Sequence, residues 1–513
     1  MSKVVKSTVW LMIAMLIAKV LGFGREIVLA ATYGTSIYSD IYITAMNIPV
    51  IIFTAIGTSL GTTFIPLYFE VQNEKEEKDS LKFANNTFNI VMILSVILAI
   101  IGIIFAEPIV KIFAMGFKGE SFVIAVKFTR ILMLGTIFIG LSYVMTAYLQ
   151  VKNEFFIPGI ASTPKNIIII LSMILSIKYG IYVMVWGTLV GMFVEFLFQV
   201  PFAYKVGYKY NLYISLKDKY LRKMMLLVAP VFVGVAVNQV NALVDRTLAS
   251  TLIEGSISAL NYANKLNGFV IGLIIVSIGS VIYPMLSKLT SDNNNEKFVE
   301  SVANSVNSVV LLVSPISVGA IVLAKPIVQL LFERGSFDSN AVAMTSSALV
   351  FYSIGLLGAG LRDILSKVFY SLQDTKTPMI NGTLTVVLNI VLNILLIKHF
   401  AHNGLALATS ISSIICIVLL FMSLKKKIGY FGQDKIIKVM LKSFIASCIM
   451  GVCAVIIYNI LNSIISASFI FKAIILSISI LVGAIVYAVI IILLKVEEVE
   501  RMLETIKTKI KRR

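Results

Sequence analysis

The chain has 513 residues, of which 58% are hydrophobic and only 14% charged, with a formal net charge of +18 and a mean hydropathy of +0.95. That much apolar surface exceeds what a soluble core can hide, so the solvent is a bilayer. A basic balance of this size also suits nucleic-acid binding, but the cations are scattered among links between apolar runs instead of gathering on one face, which argues against it.

Apolar runs of roughly 20 residues, each enough to cross about 30 Å of hydrocarbon, recur from one centred near Ile17 to one centred near Ile480, about 14 in all. Backbone polar groups cannot go unpaired in lipid, and the alternating pattern of a membrane barrel is absent. The expected fold is therefore an all-α polytopic membrane protein. SLGTTFIP at Ser59 returns as SIGSVIYP at Ser277, and AEPIVKIF at Ala106 returns as AKPIVQLL at Ala324, both 218 residues on. YLQVKNEFFIP and YSLQDTKTP form a third echo that needs a small gap. A register shared by separate segments marks an internal duplication, and in a membrane protein it points to a transporter with its site between the halves. The expected organisation is an N-lobe of six helices over residues 1–206, a C-lobe of six over 207–424, two further helices over 425–495, and a cytoplasmic amphipathic tail over 496–513 carrying Val499, Leu503, Ile506 and Ile510. Six spans separate equivalent points, so the copies share one orientation in the membrane.

Lys3 and Lys6, the links holding Lys75 to Lys82, Lys205 to Lys223 and Lys425 to Lys438, and the end Lys507 to Arg513 are basic, whereas the links at Tyr33 to Ser39 and Thr251 to Ser256 carry no cation. The positive-inside rule puts both termini and the link around Lys217 in the cytoplasm, with Gly34 and Gly255 facing outward. Anionic lipid headgroups are expected against the basic links. The first apolar run lacks a small-residue cleavage site, so no cleavable signal is expected. Cys416, Cys448 and Cys453 have neither paired nor metal-ligand spacing and read as apolar filler; His399 and His402 read as solvated link residues. No nucleotide-binding Gly-rich loop, nucleophile elbow or HExxH occurs, so neither enzyme chemistry nor a cofactor is expected; energy must come from an ion gradient, the membrane potential or another protein.

Each charge within a span costs a few kcal/mol at the bilayer centre unless it faces protein or water. Lys19, Arg25 and Glu26 lie in or at the end of the first span, and Lys19, Gly22 and Arg25 share part of a face. Two readings stand: an interfacial Arg25–Glu26 pair snorkelling to the surface, or a cavity lining, which the depth of Lys19 favours. Gly22 and Gly24 are expected to interrupt that helix. Asp40, at the start of the second span, reads either as an acidic N-cap or as a site residue. Lys265 in NYANKLNGF stands at the level of Asn47 in the other copy, so cations from both lobes would suit a phosphate or diphosphate. Arg130, Lys165, Glu195, Arg362, Asp363 and Lys367 are weaker candidates. Asp245, Asn389, Asn393 and Thr409 offer oxygens for a coupling cation such as sodium, with ordinary interhelical hydrogen bonding as the alternative.

LGFGREIVLAATYGTSIYSDIYITAMNIP from Leu21, FIPLY at Phe64, NYANKLNGF at Asn261, LFERGSFD, and FYSLQDTKTP at Phe369 resemble the MurJ (MviN) family of lipid II flippases, in the multidrug, oligosaccharidyl-lipid and polysaccharide exporter superfamily. The resemblance implies two six-helix lobes around a central cavity and a groove for the polyprenyl tail formed by the last two helices. It further implies transport of undecaprenyl-diphosphate-linked muropeptide by alternating access across a bacterial cytoplasmic membrane, and contact with cell-wall synthesis proteins. The family's first-span cations fall on Lys19 and Arg25, and its second-lobe arginine on Lys265; its second-span arginine has no match, Ile51 to Thr54 being uncharged. Within the same fold a cation-coupled drug or polysaccharide exporter stays open, and a non-transporting membrane scaffold is the alternative from another class.

Overall fold

A computed structural model describes residues 3–292, 294–464, 468–500 and 504. Among them the chain is helical, with no strand, and the same order of elements occurs twice. Lys3–Tyr33 is followed by Ile37–Glu74, Glu77–Ile104, the short Ala106–Phe113, the broken pair Gly119–Met133 and Gly135–Val151, then Ser162–Tyr179 and Tyr182–Lys205. Lys219–Ala249 is followed by Ser256–Val270, a π-helical turn Ile271–Ile275, Val276–Ser291, Asn295–Val322, the short Ala324–Phe332, the broken pair Ser339–Ile354 and Leu356–Ser371, and Lys376–Ile428. Gln433–Ile464 and Phe469–Leu493 have no counterpart in the first half.

Local chemistry explains why the repeated motifs mark corners. Pro108 and Pro326 stand in the first turn of the short helices, where a missing N–H costs nothing, and Phe105 and Leu323 before them leave helical geometry (φ −94° and −106°). Each short helix buries one face: Ala106, Val110 and Phe113 in the first, Ala324, Val328 and Phe332 in the second. The third echo ends a helix by the same device in both copies. Asn153 and Gln373 adopt left-handed backbone (φ 62° and 58°), and the next residue donates back to the helix, Glu154 N to Leu149 O and Asp374 N to Phe369 O, each at 2.9 Å.

Ten described helices are long and apolar enough to cross a membrane, eleven when the bent pair Ser339–Ile354 and Leu356–Ser371 is one span, fewer than the roughly 14 expected. Part of the difference lies in Lys376–Ile428, a 53-residue helix counted once although Ala401 (φ 48°, ψ −131°) divides it in two. Lys3–Tyr33 runs through Gly22 and Gly24 without a break, contrary to expectation. His402 is buried at the Ala401 turn, its Nε2 bonded to Met344 O at 3.1 Å, so it is not the solvated link residue expected; His399 is exposed. The three cysteines are free.

Packing divides the chain into one compact unit of Met1–Ser258 with Arg334–Asp338 and another of Ala259–Glu333 with Ser339–Arg513. The core of the first is rich in rings, with Phe64, Tyr68, Phe83 and Tyr148 buried together. The second is aliphatic along Val302, Val306, Val309 and Val313. The basic link after Tyr182–Lys205 is strapped to the first unit by three asparagines of Glu77–Ile104: Asn85 bonds Lys209 O and Asn211 N, Asn86 bonds both backbone groups of Ser215, and Asn89 bonds Asn211 O and Tyr213 O. Asn307, at the position of Asn89 in the second repeat, bonds Glu498 in the segment after the last long helix, where Val496 is buried. Leu503, Ile506 and Ile510 of the expected tail helix lie outside the described residues.

Asp374 of the DTKTP motif secures both ends of Lys376–Ile428. Its carboxylate accepts from Thr377 N (2.9 Å) and Thr377 Oγ1 (2.8 Å) and pairs with Lys427 Nζ at 2.6 Å. The hydrogen bond from Lys427 is the main cause that holds its pKa down, from the ordinary 3.8 to about 2. A carboxyl depressed in the folded state stabilises above its unfolded value and loses that contribution as pH falls through the folded one. Asp374→Ala is therefore expected to lower the unfolding midpoint of the detergent-solubilised protein at pH 5 to 7, with the gap to the parent closing between about pH 4 and pH 2; a gap independent of pH would contradict the ion pair.

Candidate functional site

Of the sequence candidates of the first lobe, Arg25, Glu26, Lys165 and Glu195 meet in a polar cluster among membrane-spanning helices. Arg25 projects from Lys3–Tyr33 and pairs with the adjacent Glu26, Nη2 to Oε1 at 2.7 Å, while its Nη1 donates to Asn166 Oδ1 of Ser162–Tyr179 at 3.3 Å. Gly22 faces the same amide: a Cβ there would lie 3.7 Å from Asn166 Nδ2, so the shared face expected of Gly22 and Arg25 is real. Glu26 is only 3% exposed, which overturns the reading of a pair snorkelling to the surface. Lys19 is half-buried on the same helix. Glu195 of Tyr182–Lys205 and Tyr42 of Ile37–Glu74 lie within electrostatic reach of Arg25, and Tyr42 Oη is 2.8 Å from Thr188 Oγ1. Glu195 itself pairs with Lys165, Nζ to Oε2 at 2.7 Å.

Asp40 does not cap its own helix. Ser36 does, in a capping box with Ser39. The Asp40 carboxylate instead reaches the start of Ser256–Val270, accepting from Gly255 N at 2.9 Å and Ser258 N at 2.7 Å. Glu254 returns the contact, its Oε1 accepting from Ile37 N, the first residue of Ile37–Glu74, at 2.7 Å. Two carboxylates thus satisfy the orphan N–H groups at each other's helix start, where the helix dipole also favours negative charge. Glycine is required at the crossing: Gly255 has φ +86°, and a Cβ would fall 2.4 Å from Thr35 O. Gly34 has φ +58° and meets Ser336 O as closely, beside the bond from Ser336 N to Ala31 O (2.8 Å). Sequence reading missed this clasp because the donors belong to backbone more than 200 residues away, although the pairing of Asp40 with Ser258 at the repeat spacing was a usable signal.

Lys265 stands exposed on Ser256–Val270, in the second unit, and is followed by the π-turn Ile271–Ile275, a distortion often found at functional positions. Asn389 and Asn393 are buried on one face of Lys376–Ile428, Asn393 Nδ2 bonding Asn389 Oδ1 at 2.9 Å and Asn389 Nδ2 approaching Thr409 Oγ1 at 3.5 Å. Asp245, the carboxylate grouped with them in the sequence, belongs to the first unit, on Lys219–Ala249. Among the described residues no three His, Cys, Asp or Glu side chains gather as a metal would require.

Membrane-spanning helices in two successive copies, with partly buried ion pairs among them, define a polytopic carrier. The chain superposes on a solved multidrug resistance MATE family transporter of the MOP superfamily, in an inward-facing conformation, with a TM-score of 0.66 over 82% of this chain and 99% of that one, at 17% identity, a likeness of fold. The chain belongs to the family described as lipid II flippase MurJ, which matches residues 29–479. A structure of a lipid II flippase MurJ in an inward closed conformation aligns with a TM-score of 0.80, 29% identity, and coverage of 94% of this chain and 98% of that one. The probable lipid II flippase MurJ of Buchnera aphidicola subsp. Baizongia pistaciae is 30% identical over 479 residues, 91% of this chain and 93% of its own. The lipid II flippase MurJ of Burkholderia cenocepacia is 27% identical over 423 residues, 80% and 82% of the two chains.

Removing the Asp40 acceptors strands two N–H groups in a buried setting, at a cost of about 1–3 kcal/mol for each. Asp40→Ala is expected to lower the thermal unfolding midpoint in detergent, with Glu254→Gln, which keeps an acceptor for Ile37 N, close to the parent. Equal midpoints for Asp40→Ala and the parent would show that the clasp contributes nothing.

Proposed function

We propose that this protein carries lipid II, the undecaprenyl-diphosphate-linked peptidoglycan precursor, from the inner to the outer leaflet of the bacterial cytoplasmic membrane. The observation that supports the reading is a partly buried cluster of Arg25, Glu26 and Asn166 inside membrane-spanning helices of a chain in the flippase family. An arginine inside a span suits an oxyanion, since its planar fork donates two parallel hydrogen bonds to phosphate oxygens. The diphosphate is assigned to Arg25 and Lys19 from the first lobe and Lys265 from the second. Because Arg25 already holds Glu26, the anion enters by exchange, one ionic partner for another, so the cation is never left bare in a low-dielectric setting. The polyprenyl tail stays in lipid along Gln433–Ile464 and Phe469–Leu493, whose outer faces are strongly apolar.

In cells whose growth depends on this flippase, Arg25→Ala and Lys265→Ala are expected to abolish delivery of lipid II to the outer leaflet while the protein still inserts, because each lost charge-assisted contact is worth about 1.5–3 kcal/mol. Lys265→Arg and Lys19→Arg keep the charge and are expected to function. Normal delivery by both alanine variants would remove the cations from the binding site.

The orientation proposed from the positive-inside rule puts Lys217 in the cytoplasm and the Asp40–Glu254 clasp on the outer side, where it must open to release the headgroup. Gly255 is buried against Thr35, so Ile253, 66% exposed, is the better outward probe. In a background without the native cysteines, Ile253→Cys should react with an impermeant thiol reagent on intact cells and Lys217→Cys only after lysis; the opposite pattern inverts the topology.

Sodium is the proposed coupling ion, with Asp245, Asn389, Asn393 and Thr409 as its ligands, because hard cations take oxygen donors and a carboxylate offsets their dehydration. Asp245→Asn is then expected to remove the sodium dependence of transport. Transport that keeps both its rate and its ion dependence in this variant would leave the amides as interhelical hydrogen bonds only.

A further inference from the structure

The first lobe holds a second ion pair within the membrane that the assignment above does not use. Lys165 lies near the middle of the span Phe156–Tyr179, and Glu195 near the middle of Tyr182–Lys205. Their side chains meet at 2.7 Å and keep 23% and 17% exposure, so the pair is not sealed in the core. The helices approach closely to allow it: a Cβ on Gly191, one turn before Glu195, would lie 3.1 Å from Lys165 O and 3.3 Å from Lys165 Cγ. Lys165 is the neighbour of Asn166, which receives Arg25, and Glu195 acts electrostatically on Arg25. On its other side Tyr143 interacts with both Glu195 and Thr54, and Gln199 ties the same helix to Ser142 and Thr146.

An ion pair is weak evidence of a stabilising role, since apolar residues of similar volume usually hold two helices together as well or better. In a membrane span it calls for another explanation, because hydrocarbon makes ionised groups costly. Here two pairs, Arg25–Glu26 and Lys165–Glu195, are neighbours: Asn166, which accepts from Arg25, follows Lys165 in the chain, and Glu195 acts electrostatically on Arg25. The chemistry that matches two adjacent cations, each shielded by a carboxylate, is a ligand with two adjacent negative charges. A diphosphate diester carries one on each phosphorus. We propose that Lys165 is a further substrate-contacting cation of the first lobe, held by Glu195 while the site is empty and transferred to the second phosphate of the diphosphate when the lipid binds.

The inference rests on the flippase reading, and the experiment separates the two. Purified protein in detergent is titrated with undecaprenyl diphosphate and with undecaprenyl monophosphate. The parent is expected to prefer the diphosphate by about tenfold or more, the worth of one charge-assisted contact. Lys165→Gln combined with Glu195→Gln keeps an amide hydrogen bond between the helices and removes both charges; it is expected to lose that preference while binding the monophosphate as the parent does. Glu195→Gln alone leaves Lys165 unshielded and is expected to tighten diphosphate binding about threefold or more, a readout that holds if the double variant fails to fold. Arg25→Ala is expected to weaken both lipids. An intact preference in the double variant, or unchanged or weaker diphosphate binding by Glu195→Gln, with Arg25→Ala defective, would make the pair a helix staple and leave the flippase reading standing. Parent-like binding by Arg25→Ala as well would overturn that reading itself.

Discussion

A charge in hydrocarbon must be answered, and most of the site follows from that constraint. Arg25 cannot stand alone among apolar helices, so it holds Glu26 and Asn166; Lys165 cannot, so it holds Glu195. These partners make the empty state tolerable and also set the terms of binding. An incoming anion gains only the difference between its own contacts and those it displaces, which favours exchange over tight, irreversible capture. A carrier needs that balance, because a headgroup held too firmly is never released.

The backbone obeys the same constraint. Helix starts leave N–H groups without partners, and at Ile37 and Ser256 the missing acceptors are carboxylates from each other's neighbourhood, Glu254 and Asp40. Duplication explains how such reciprocity arises, since corresponding helix starts in the two copies present corresponding donors. It also explains the paired use of asparagine: Asn89 fastens the link between the repeats, and Asn307, its counterpart, fastens the segment after the last long helix. In each case one inherited side chain was put to work on whatever chain segment runs past it.

Duplication, helical class and the first-span cluster were legible because they are local or periodic. Pro108 and Pro326 mark corners wherever they stand, and Arg25 inside an apolar run is conspicuous with no knowledge of its surroundings. The partners were less legible for the opposite reason. Asn166 and Glu195 reach the arginine from helices more than 100 residues away, and nothing in their own segments distinguishes a ligand of Arg25 from an ordinary polar residue. Asp40 misled because an acidic residue early in a helix suits a local cap, and Ser36 had already taken that role. His402 misled because a short link suggests water, whereas the sharp turn at Ala401 folds it onto Met344. The described helices that pass as spans are fewer than expected in part because one long helix turns within itself and is counted once.

The most direct measurement of the central claim uses the unmodified protein alone. Purified protein is reconstituted into vesicles carrying fluorescent lipid II in both leaflets, and the fraction open to an impermeant quencher added outside is followed with time. Flipping by this chain predicts that the protected half becomes accessible in proteoliposomes and stays protected in protein-free vesicles, with a lipid-linked sugar on a monophosphate moved much more slowly. Proteoliposomes that protect half of the lipid II as well as empty vesicles do would contradict it.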